Sequence, residues 1–226
     1  MNFKLKKLGV NVVKSKLILD LMKNKTYLGP LKSNLNPNIR YGLIGVRNDF
    51  WVFDVMQIVA DLSLVLKLIS KVTKKRKNRK GRILFVGFPE SEHQSKFLKI
   101  LYKSKKHYYV NNKSWTSGLL TNGISFTTYR NHFLQNLKTK SEKEKKSFFQ
   151  KFEGVLNLNK KPDLILIYNH SKNLDAFNEA VLLKIPTISL VNGDSSIDKI
   201  DYPVLGNFNS LKNGELFYNL IRHCLK

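Results

Sequence analysis

The side chains of this sequence that could do acid–base chemistry stand just after apolar runs of the chain. His170 follows the run 165–168, and Asp194 follows the run 188–191 with two residues between. Ligands of parallel α/β sheets bind at the carboxyl ends of the strands, so this histidine and aspartate could form an acid–base pair. Asn, Gly and Asp at strand ends are more often turn residues, and no catalytic residue is assigned.

Motifs for cofactor chemistry are absent from the sequence. The apolar run 83–86 leads into Gly87-Phe-Pro89, whereas a dinucleotide site would need G-x-G-x-x-G, and neither G-x-x-x-x-G-K-[ST] nor G-x-S-x-G occurs. The five histidines have no partner at helical spacing, and Cys224 is the only cysteine. We therefore expect no cofactor, no metal site and no enzymatic activity.

Charge is the strongest compositional signal. The 226 residues include 40 Lys and Arg against 16 Asp and Glu, a formal net charge of +24. A folded protein with this self-repulsion is expected to bind a polyanion. Cations occur in nearly every segment rather than on one amphipathic helix, which favours nucleic acid over an anionic membrane surface. Asp61 and Lys67 interrupt the apolar stretch 55–72, which is predicted to be a buried helix and not a membrane span.

Alternating strands and helices predict the fold. Short apolar runs are typical of strands, which are expected at 50–55, 83–87, 108–110, 162–168 and 185–191. Three of these runs are followed by apolar residues at helical spacing, which predicts helices at 56–71, 91–103 and 171–184. Such an order predicts an α/β, doubly wound parallel sheet of the Rossmann or flavodoxin type with helices on both faces. In the last helix, Leu174, Phe177 and Val181 are expected to face the core.

Three segments depart from this alternation. Residues 1–26 are predicted to be a basic N-terminal extension with a cationic helical face, and an RNA-contacting segment is favoured over a cleaved targeting peptide. Residues 27–48 are rich in Gly and Pro and are predicted to be an ordered loop region. Residues 125–160 are helical and highly charged, which leaves a solvated projection and direct RNA contact both open. Residues 27–226 are expected to form one domain, with the projection at about 128–159.

Two segments supply candidate nucleic-acid contacts. The run 71–82 is predominantly basic, and phosphate contacts are predicted for Lys74, Lys75, Arg76, Lys77, Arg79, Lys80 and Arg82. Residues 111–123 are small and polar around Trp115, which could stack on a base or anchor the loop, with anchoring favoured. Thr121 and Asn122 could present hydrogen-bond donors to phosphates.

The same polar segment carries a family resemblance. Tyr109-Val-Asn111 followed by Trp115-x-x-Gly118-x-Leu120-Thr-Asn122 resembles the signature of the universal small-subunit ribosomal protein family two, in its bacterial and organellar form. Further blocks occur in the order of that family, over about residues 27–212: Asn36-Pro37, Gly45-x-Arg47-Asn48, Gly81-x-Ile-Leu-Phe-Val-Gly87, Pro162-Asp163, Glu179-Ala180, Ile185-Pro186 and Ile200-Asp-Tyr-Pro203-x-x-Gly206-Asn207.

The chain also departs from the family pattern. Ser114 stands where the family has Arg, and three other blocks differ in one or more residues: Gly29-Pro30, Ser117-Gly118 and Asn192-Gly193-Asp194. The family's long coiled-coil insertion is shortened here to about residues 128–159. These differences put individual contacts in question, including any that the tip of the insertion would make.

The resemblance implies a structural constituent of the small ribosomal subunit that binds rRNA and neighbouring ribosomal proteins between head and body. It adds Arg47 and Asn48 to the candidate RNA contacts. We expect no homo-oligomer and no membrane span. A composition rich in Lys, Asn, Ile and Phe is typical of AT-rich genomes and favours a mitochondrial ribosome, with a bacterial or plastid ribosome as the alternative. The alternative function is a Rossmann-like enzyme for a nucleotide or sugar substrate, with His170 and Asp194 at the strand ends.

Overall fold

The computed structural model describes residues 15–39, 42–74, 81–88, 101, 107–111 and 115–225. Within these residues the strands form two sheets, one of three strands and one of five. The predicted helix at 91–103 lies outside the described residues except for residue 101, which is helical. Lys75, Arg76, Lys77, Arg79 and Lys80 also lie outside them, as do residues 1–14.

The smaller sheet replaces the ordered loop that was predicted for residues 27–48. Strands β1 (Leu28–Leu31), β2 (Leu43–Arg47) and β3 (Phe50–Phe53) are antiparallel in the order β1-β3-β2. The prediction was wrong because Gly and Pro limit the length of a strand without preventing a short one at a sheet edge. Asn48 and Asp49 both have positive φ, at 49° and 64°, which gives β2 and β3 a two-residue hairpin turn.

The larger sheet confirms the predicted α/β, doubly wound class. Its five parallel strands lie in the order β5-β4-β6-β7-β8 and are flanked by helices; they are β4 (Ile83–Phe88), β5 (Tyr108–Asn111), β6 (Leu164–Ile167), β7 (Thr187–Val191) and β8 (Tyr202–Leu205). Chain order 2-1-3-4-5 is the flavodoxin arrangement, whose switch point lies between the first and third strands, here β4 and β6. The strands are almost wholly apolar because helices and loops exclude water from the sheet.

Helices cover the sheet and complete the core. The described part of α1 spans residues 15–23, and the others are α2 (Val55–Thr73), α3 (Gly123–Gln135), α4 (Glu142–Phe152), α5 (Leu174–Leu182) and α6 (Leu211–Cys224). Asp54 caps α2 by accepting a hydrogen bond from the Met56 amide at 2.8 Å. Apolar residues at helical spacing bury one face of α2, as predicted: Ile58, Val59, Leu62, Val65 and Ile69. Among the described residues, no helix is long and apolar enough to cross a bilayer.

The charged segment predicted as a projection is a helical hairpin of α3 and α4. Its inner face is aromatic: the Phe133 and Phe148 rings stack with centroids 3.8 Å apart, and Phe126 and Phe152 are also buried. The chain returns to the sheet at a 3-10 turn, Glu153–Val155, where the Tyr109 hydroxyl of β5 donates to Glu153 at 2.9 Å. Most lysines of the hairpin are exposed, so it combines a packed aromatic face with a charged surface.

Two further details of the core differ from expectation. In α5, Phe177 is buried as predicted, but Leu174 is 46% exposed, and Ala176, Glu179 and Ala180 complete the buried face instead. Part of the predicted N-terminal extension packs on the domain, because Leu21 is buried and the Thr26 hydroxyl donates to Asn213 of α6 at 2.7 Å. Residues 15–26 therefore contribute to the core.

Candidate nucleic-acid interface

The switch point of the sheet, where ligands of this architecture bind, is filled by the protein itself. Gly87, the penultimate residue of β4, has φ +78°, and a Cβ at this position would lie 2.1 Å from Nδ2 of Asn173 and 2.7 Å from the carbonyl oxygen of Tyr168. The side-chain amide of Asn173 is buried, and its Nδ2 donates to the carbonyl oxygens of Tyr168 and Asn169 at 2.9 and 3.0 Å. An internal side chain thus occupies the space between the ends of β4 and β6.

His170 and Asp194 do not form the acid–base pair that the strand ends suggested. His170 is 3% exposed, its Nδ1 lies 3.0 Å from the Ser189 hydroxyl, and its ring meets Phe177 edge-on. Burial lowers the pKa of the imidazole, and the charge of Asp194 opposes this shift in part. Asp194 itself is exposed, and no hydrogen bond joins the two side chains. The buried imidazole belongs to the packing of α5 on β7.

Amide side chains link the loops that follow β6, β7 and β8 at this edge. Asn209 accepts hydrogen bonds from Asn169 and Asn192 at 2.9 and 3.0 Å, and Asn192 accepts one from the Phe208 amide at 2.8 Å. Neutral amides that satisfy one another in this way stabilise loops without leaving a charge for a ligand. We call Gly87, Asn169, His170, Asn173, Asn192 and Asn209 the strand-end cluster.

The second polar feature of this edge is a loop held by one carboxylate. Glu179 is 7% exposed, and the donors that its carboxylate meets among the described residues all come from the segment after β5. Oε1 accepts from the Trp115 indole at 3.1 Å and from the Gly118 amide at 2.7 Å. Oε2 accepts from the amides of Leu120 and Thr121 at 2.9 and 3.1 Å and from the Thr121 hydroxyl at 3.3 Å. We call residues 115–122 the anchored loop.

Five donors on one carboxylate explain how a charged residue can be buried here. An isolated ion would pay a large desolvation cost, which several N–H donors offset. Helix α5 positions Glu179 one turn after Ala176, on the face that packs against the sheet. From the sequence, Glu179 was recognised only as part of a family block, and its role as the anchor of the loop was missed. A lone acidic residue on an otherwise apolar helical face is the signal that could have identified it.

The anchored loop tests the two interpretations of Trp115. Trp115 is half-buried against the core and its indole N–H donates to Glu179, which confirms anchoring; stacking of the ring on a base stays a prediction. Thr121 and Asn122 remain exposed at the end of the loop, directly before α3. Their contact with phosphate stays a prediction.

The other predicted contact residues lie in three places. Arg47 and Asn48 are exposed at the β2–β3 hairpin turn. Lys74 is exposed at the end of α2. Arg82 is half-buried, and its guanidinium donates to the Tyr108 hydroxyl at 2.6 Å, so this side chain supports the start of β4 and β5. The structure does not gather all of these residues into one patch with the anchored loop.

The described part of the chain contains no cluster of metal-ligating side chains. No group of three or more His, Cys, Asp or Glu side chains there could hold a metal ion. Cys224 is half-buried with a free thiol. The described residues therefore define a flavodoxin-like α/β protein with a filled switch point, a carboxylate-anchored loop and a basic helical hairpin.

Comparison with known proteins places this architecture in a family. The family model "Ribosomal protein S2" matches residues 21–226. The proteins named "Small ribosomal subunit protein uS2" from Rickettsia prowazekii (strain Madrid E) and Rickettsia massiliae (strain Mtu5) are each 31% identical over 220 residues, covering 90% of this chain and 72% of the relative. The protein of that name from Rickettsia peacockii (strain Rustic) is 32% identical over 211 residues, covering 86% and 69%. The chain belongs to the ribosomal protein S2 family.

Proposed function

We propose that this protein is a structural constituent of the small ribosomal subunit, where it binds rRNA and neighbouring ribosomal proteins. The observation that carries the proposal is the family match over residues 21–226, because it covers both sheets, the anchored loop and the hairpin. The relatives are named for the small ribosomal subunit. A net charge of +24 supports RNA as the polyanion that neutralises the surface.

The RNA contacts are assigned to the exposed members of the predicted set. Arg47, Asn48, Lys74 and Asn122 are exposed and are proposed to meet phosphates. Thr121 is also exposed, but its amide and hydroxyl donate to Glu179, so it is proposed to act through the loop. Trp115 and Arg82 are proposed to act through the loop and strand that they support. Lys75, Arg76, Lys77, Arg79 and Lys80 complete the proposed set as phosphate contacts.

The filled switch point supports a protein without chemistry of its own. A nucleotide or sugar substrate would need the space that Asn173 occupies beside Gly87. We also propose that residues 27–226 act as a single domain with the hairpin as its projection, that residues 1–26 contribute basic RNA contacts, and that the protein needs no cofactor and forms no homo-oligomer.

The ribosome concerned is proposed to be mitochondrial, on the composition typical of AT-rich genomes. The organisms of the relatives are bacterial and support the alternative, a bacterial ribosome. Fractionation of the native cells with detection of the protein in purified organelles and in cytosol separates the two.

Sucrose-gradient sedimentation of a native extract tests the proposed function. The protein should migrate with small ribosomal subunits and remain there after washing at low salt. Detection at the top of the gradient, while small subunits that lack the protein sediment normally, would contradict the proposal.

Salt dependence tests the RNA-binding part. If the purified protein contacts about 6–10 phosphates, its affinity for small-subunit rRNA should fall about 10³- to 10⁵-fold between about 50 and 200 mM salt. A filter-binding series across this range measures the slope, and an affinity that does not change with salt would count against an electrostatic RNA interface.

A further inference from the structure

An open cleft separates the anchored loop from the helical hairpin. It has a volume of about 930 Å³ and is lined on one side by residues 116–119 and Asn122, on the other by α3 and α4. Clefts that bind ligands commonly measure about 300–1,000 Å³. The volume is therefore sufficient for a nucleotide together with part of its neighbours.

Aromatic rings form the wall of the cleft on the hairpin side. Tyr129 of α3 is 51% exposed, although its ring lies 5.9 Å from the Phe148 centroid and 6.1 Å from that of Phe152. Phe133 and Phe148 stack behind it and hold its position. Tyr129 is thus a supported aromatic ring with a large part of its surface open to a ligand.

The rim of the cleft is basic. Lys143 and Lys151 are exposed and make no ion pair with any described residue, and Lys151 lies 5.4 Å from the centroid of the Phe152 ring. Lys140 also lines the cleft. The single acid of the lining, Glu144, is engaged in the capping box of α4, where it accepts from the Ser141 amide at 2.9 Å. Glu144 also pairs with Lys140 at 3.7 Å, so the positive charge that remains on the rim to attract an anion is that of Lys143 and Lys151.

The loop side of the cleft offers polar groups. Oγ1 of Thr116 is buried and has no hydrogen-bond partner among the described residues, which leave its donor and acceptor unused. Ser117 and Asn122 line the same side and are exposed. A ligand with both an aromatic ring and polar edges would match the two walls.

We propose that this cleft binds a single-stranded segment of RNA, with one unpaired base stacked on Tyr129 and the flanking phosphates at Lys143 and Lys151. Unpaired bases stack on aromatic side chains while a basic groove follows the backbone, which is the combination present here. An acidic segment of a neighbouring protein would meet the same lysines but would leave the open face of Tyr129 without a specific partner. The inference rests on the proposed function and adds the kind of RNA that the hairpin recognises.

Fluorescence anisotropy with the purified full chain and two probes tests the inference. The probes are a fluorescein-labelled single-stranded decauridylate and a fully paired RNA hairpin of equal charge. Tyr129→Ala should weaken decauridylate binding about 5- to 150-fold, the equivalent of about 1–3 kcal/mol per stacked base. The same variant should bind the fully paired RNA hairpin with little change in affinity. Tyr129→Phe keeps the ring and should retain the affinity.

The lysines are tested by the salt slope. Lys143→Ala removes one phosphate contact and should reduce the slope of log K against log salt by about 0.7 for the single strand, while Tyr129→Ala leaves this slope unchanged. Lys138→Ala removes an exposed lysine of the same hairpin that does not line the cleft, and should leave the slope as it is.

Ile124→Ala is the matched control for Tyr129→Ala, because Ile124 is 85% exposed on the same helix outside this cleft. Circular dichroism confirms that each variant folds. Equal loss of binding in Tyr129→Ala and Ile124→Ala overturns the inference, and so does unchanged decauridylate binding. If Tyr129→Ala binds RNA normally but loses a cross-link to a neighbouring protein in assembled subunits, the cleft is a protein site and the inference is wrong. In both cases sedimentation with small subunits still decides the proposed function separately.

Discussion

The strand-end cluster and the anchored loop lie at the same edge of the parallel sheet but solve different problems. The cluster contains the residue types that suggest chemistry, and it uses them on itself: the Asn173 amide fills the switch point and His170 is buried beside Ser189. The anchored loop has few ionisable residues, and its path is fixed by hydrogen bonds to the carboxylate of Glu179, which lies 58–64 positions away along the chain. Residue type alone therefore does not show which of the two regions could meet a partner. The hydrogen-bond partners of the polar groups in each region do show it.

The difference has a physical origin. Amide side chains can donate and accept, so Asn169 and Asn192 both donate to Asn209 while their own oxygens accept from Ser171 and from the Phe208 amide. A carboxylate only accepts, so Glu179 collects donors from the backbone of a whole loop and fixes its path. The first arrangement removes a crevice, and the second leaves the exposed side of the loop available for a partner.

The largest expected effect comes from removing the anchor. Glu179→Ala leaves the half-buried Trp115 indole, the half-buried Gly118 amide and the buried Leu120 amide without their acceptor. A buried unsatisfied donor costs about 1–3 kcal/mol, and a half-buried one costs less because water can reach it, so the free energy of unfolding should fall by about 3–6 kcal/mol, measured by urea denaturation.

Two variants keep this prediction informative if the alanine variant does not fold. Glu179→Gln preserves the volume and one acceptor oxygen and should lose part of the stability. Asn178→Ala changes the exposed neighbour on the same helix and should alter it by less than about 0.5 kcal/mol. Equal stability of Glu179→Gln and the unmodified protein would mean that the loop does not depend on the carboxylate.

The filled switch point predicts the next largest effect. Gly87→Ala introduces a Cβ within 2.1 Å of the Asn173 amide at a φ of +78°, so the substitution should cost about 2–5 kcal/mol in unfolding free energy. Gly45→Ala is the matched control, because a Cβ at Gly45 has nothing within 4 Å, and it should change stability by less than about 1 kcal/mol. A tolerated Gly87→Ala would show that the strand-end cluster has room for a ligand after all.

The smallest effect is a pH dependence from His170. Its pKa is lowered by burial in the folded state, so the unfolded chain binds the proton more tightly and stability falls as the pH drops below about 6.5. Chemical denaturation between about pH 5 and 7 should show a slope of at most about 1.4 kcal/mol per pH unit from this residue. His170→Gln should remove that contribution, because glutamine does not titrate and can still reach Ser189.

Substitution of Asp194 tests the cause of the pKa shift of His170. Its charge partly opposes the lowering, so Asp194→Asn should lower the pKa of His170 further and extend the loss of stability to lower pH. The imidazole resonances of His170 report the pKa directly by NMR. An unchanged titration in Asp194→Asn would mean that the two side chains are not coupled.

Prediction from the sequence succeeded where local pattern is sufficient. The apolar runs of β4, β6 and β7 and the spacing of α2 identified their elements, because a buried strand or helix face must be apolar along its own length. The strand at 50–55 was predicted and is β3, whereas β1 and β2 of the same sheet were missed because they are four and five residues long and contain Gly or Pro. The aromatic inner face of the hairpin was missed because the lysines around it dominate the composition of the segment.

The candidate site could be predicted only in part. Thr121 and Asn122 were selected by residue type and are exposed, but the amide and hydroxyl of Thr121, like the indole N–H of Trp115, are bound internally by Glu179. Glu179 escaped notice because its partners are far away in sequence. Tyr129 was not selected either, since an aromatic residue at helical spacing is more often part of a core.

The amino-acid sequence by itself determined the charge, the order of strands and helices, and the resemblance to a family, because each depends on composition or on neighbours along the chain. Only the tertiary structure decided that Asn173 closes the switch point, that Glu179 anchors the loop and that Tyr129 faces an open cleft. These are contacts between separate elements, and the free energy that selects them depends on which groups remain unsatisfied once the sheet has formed.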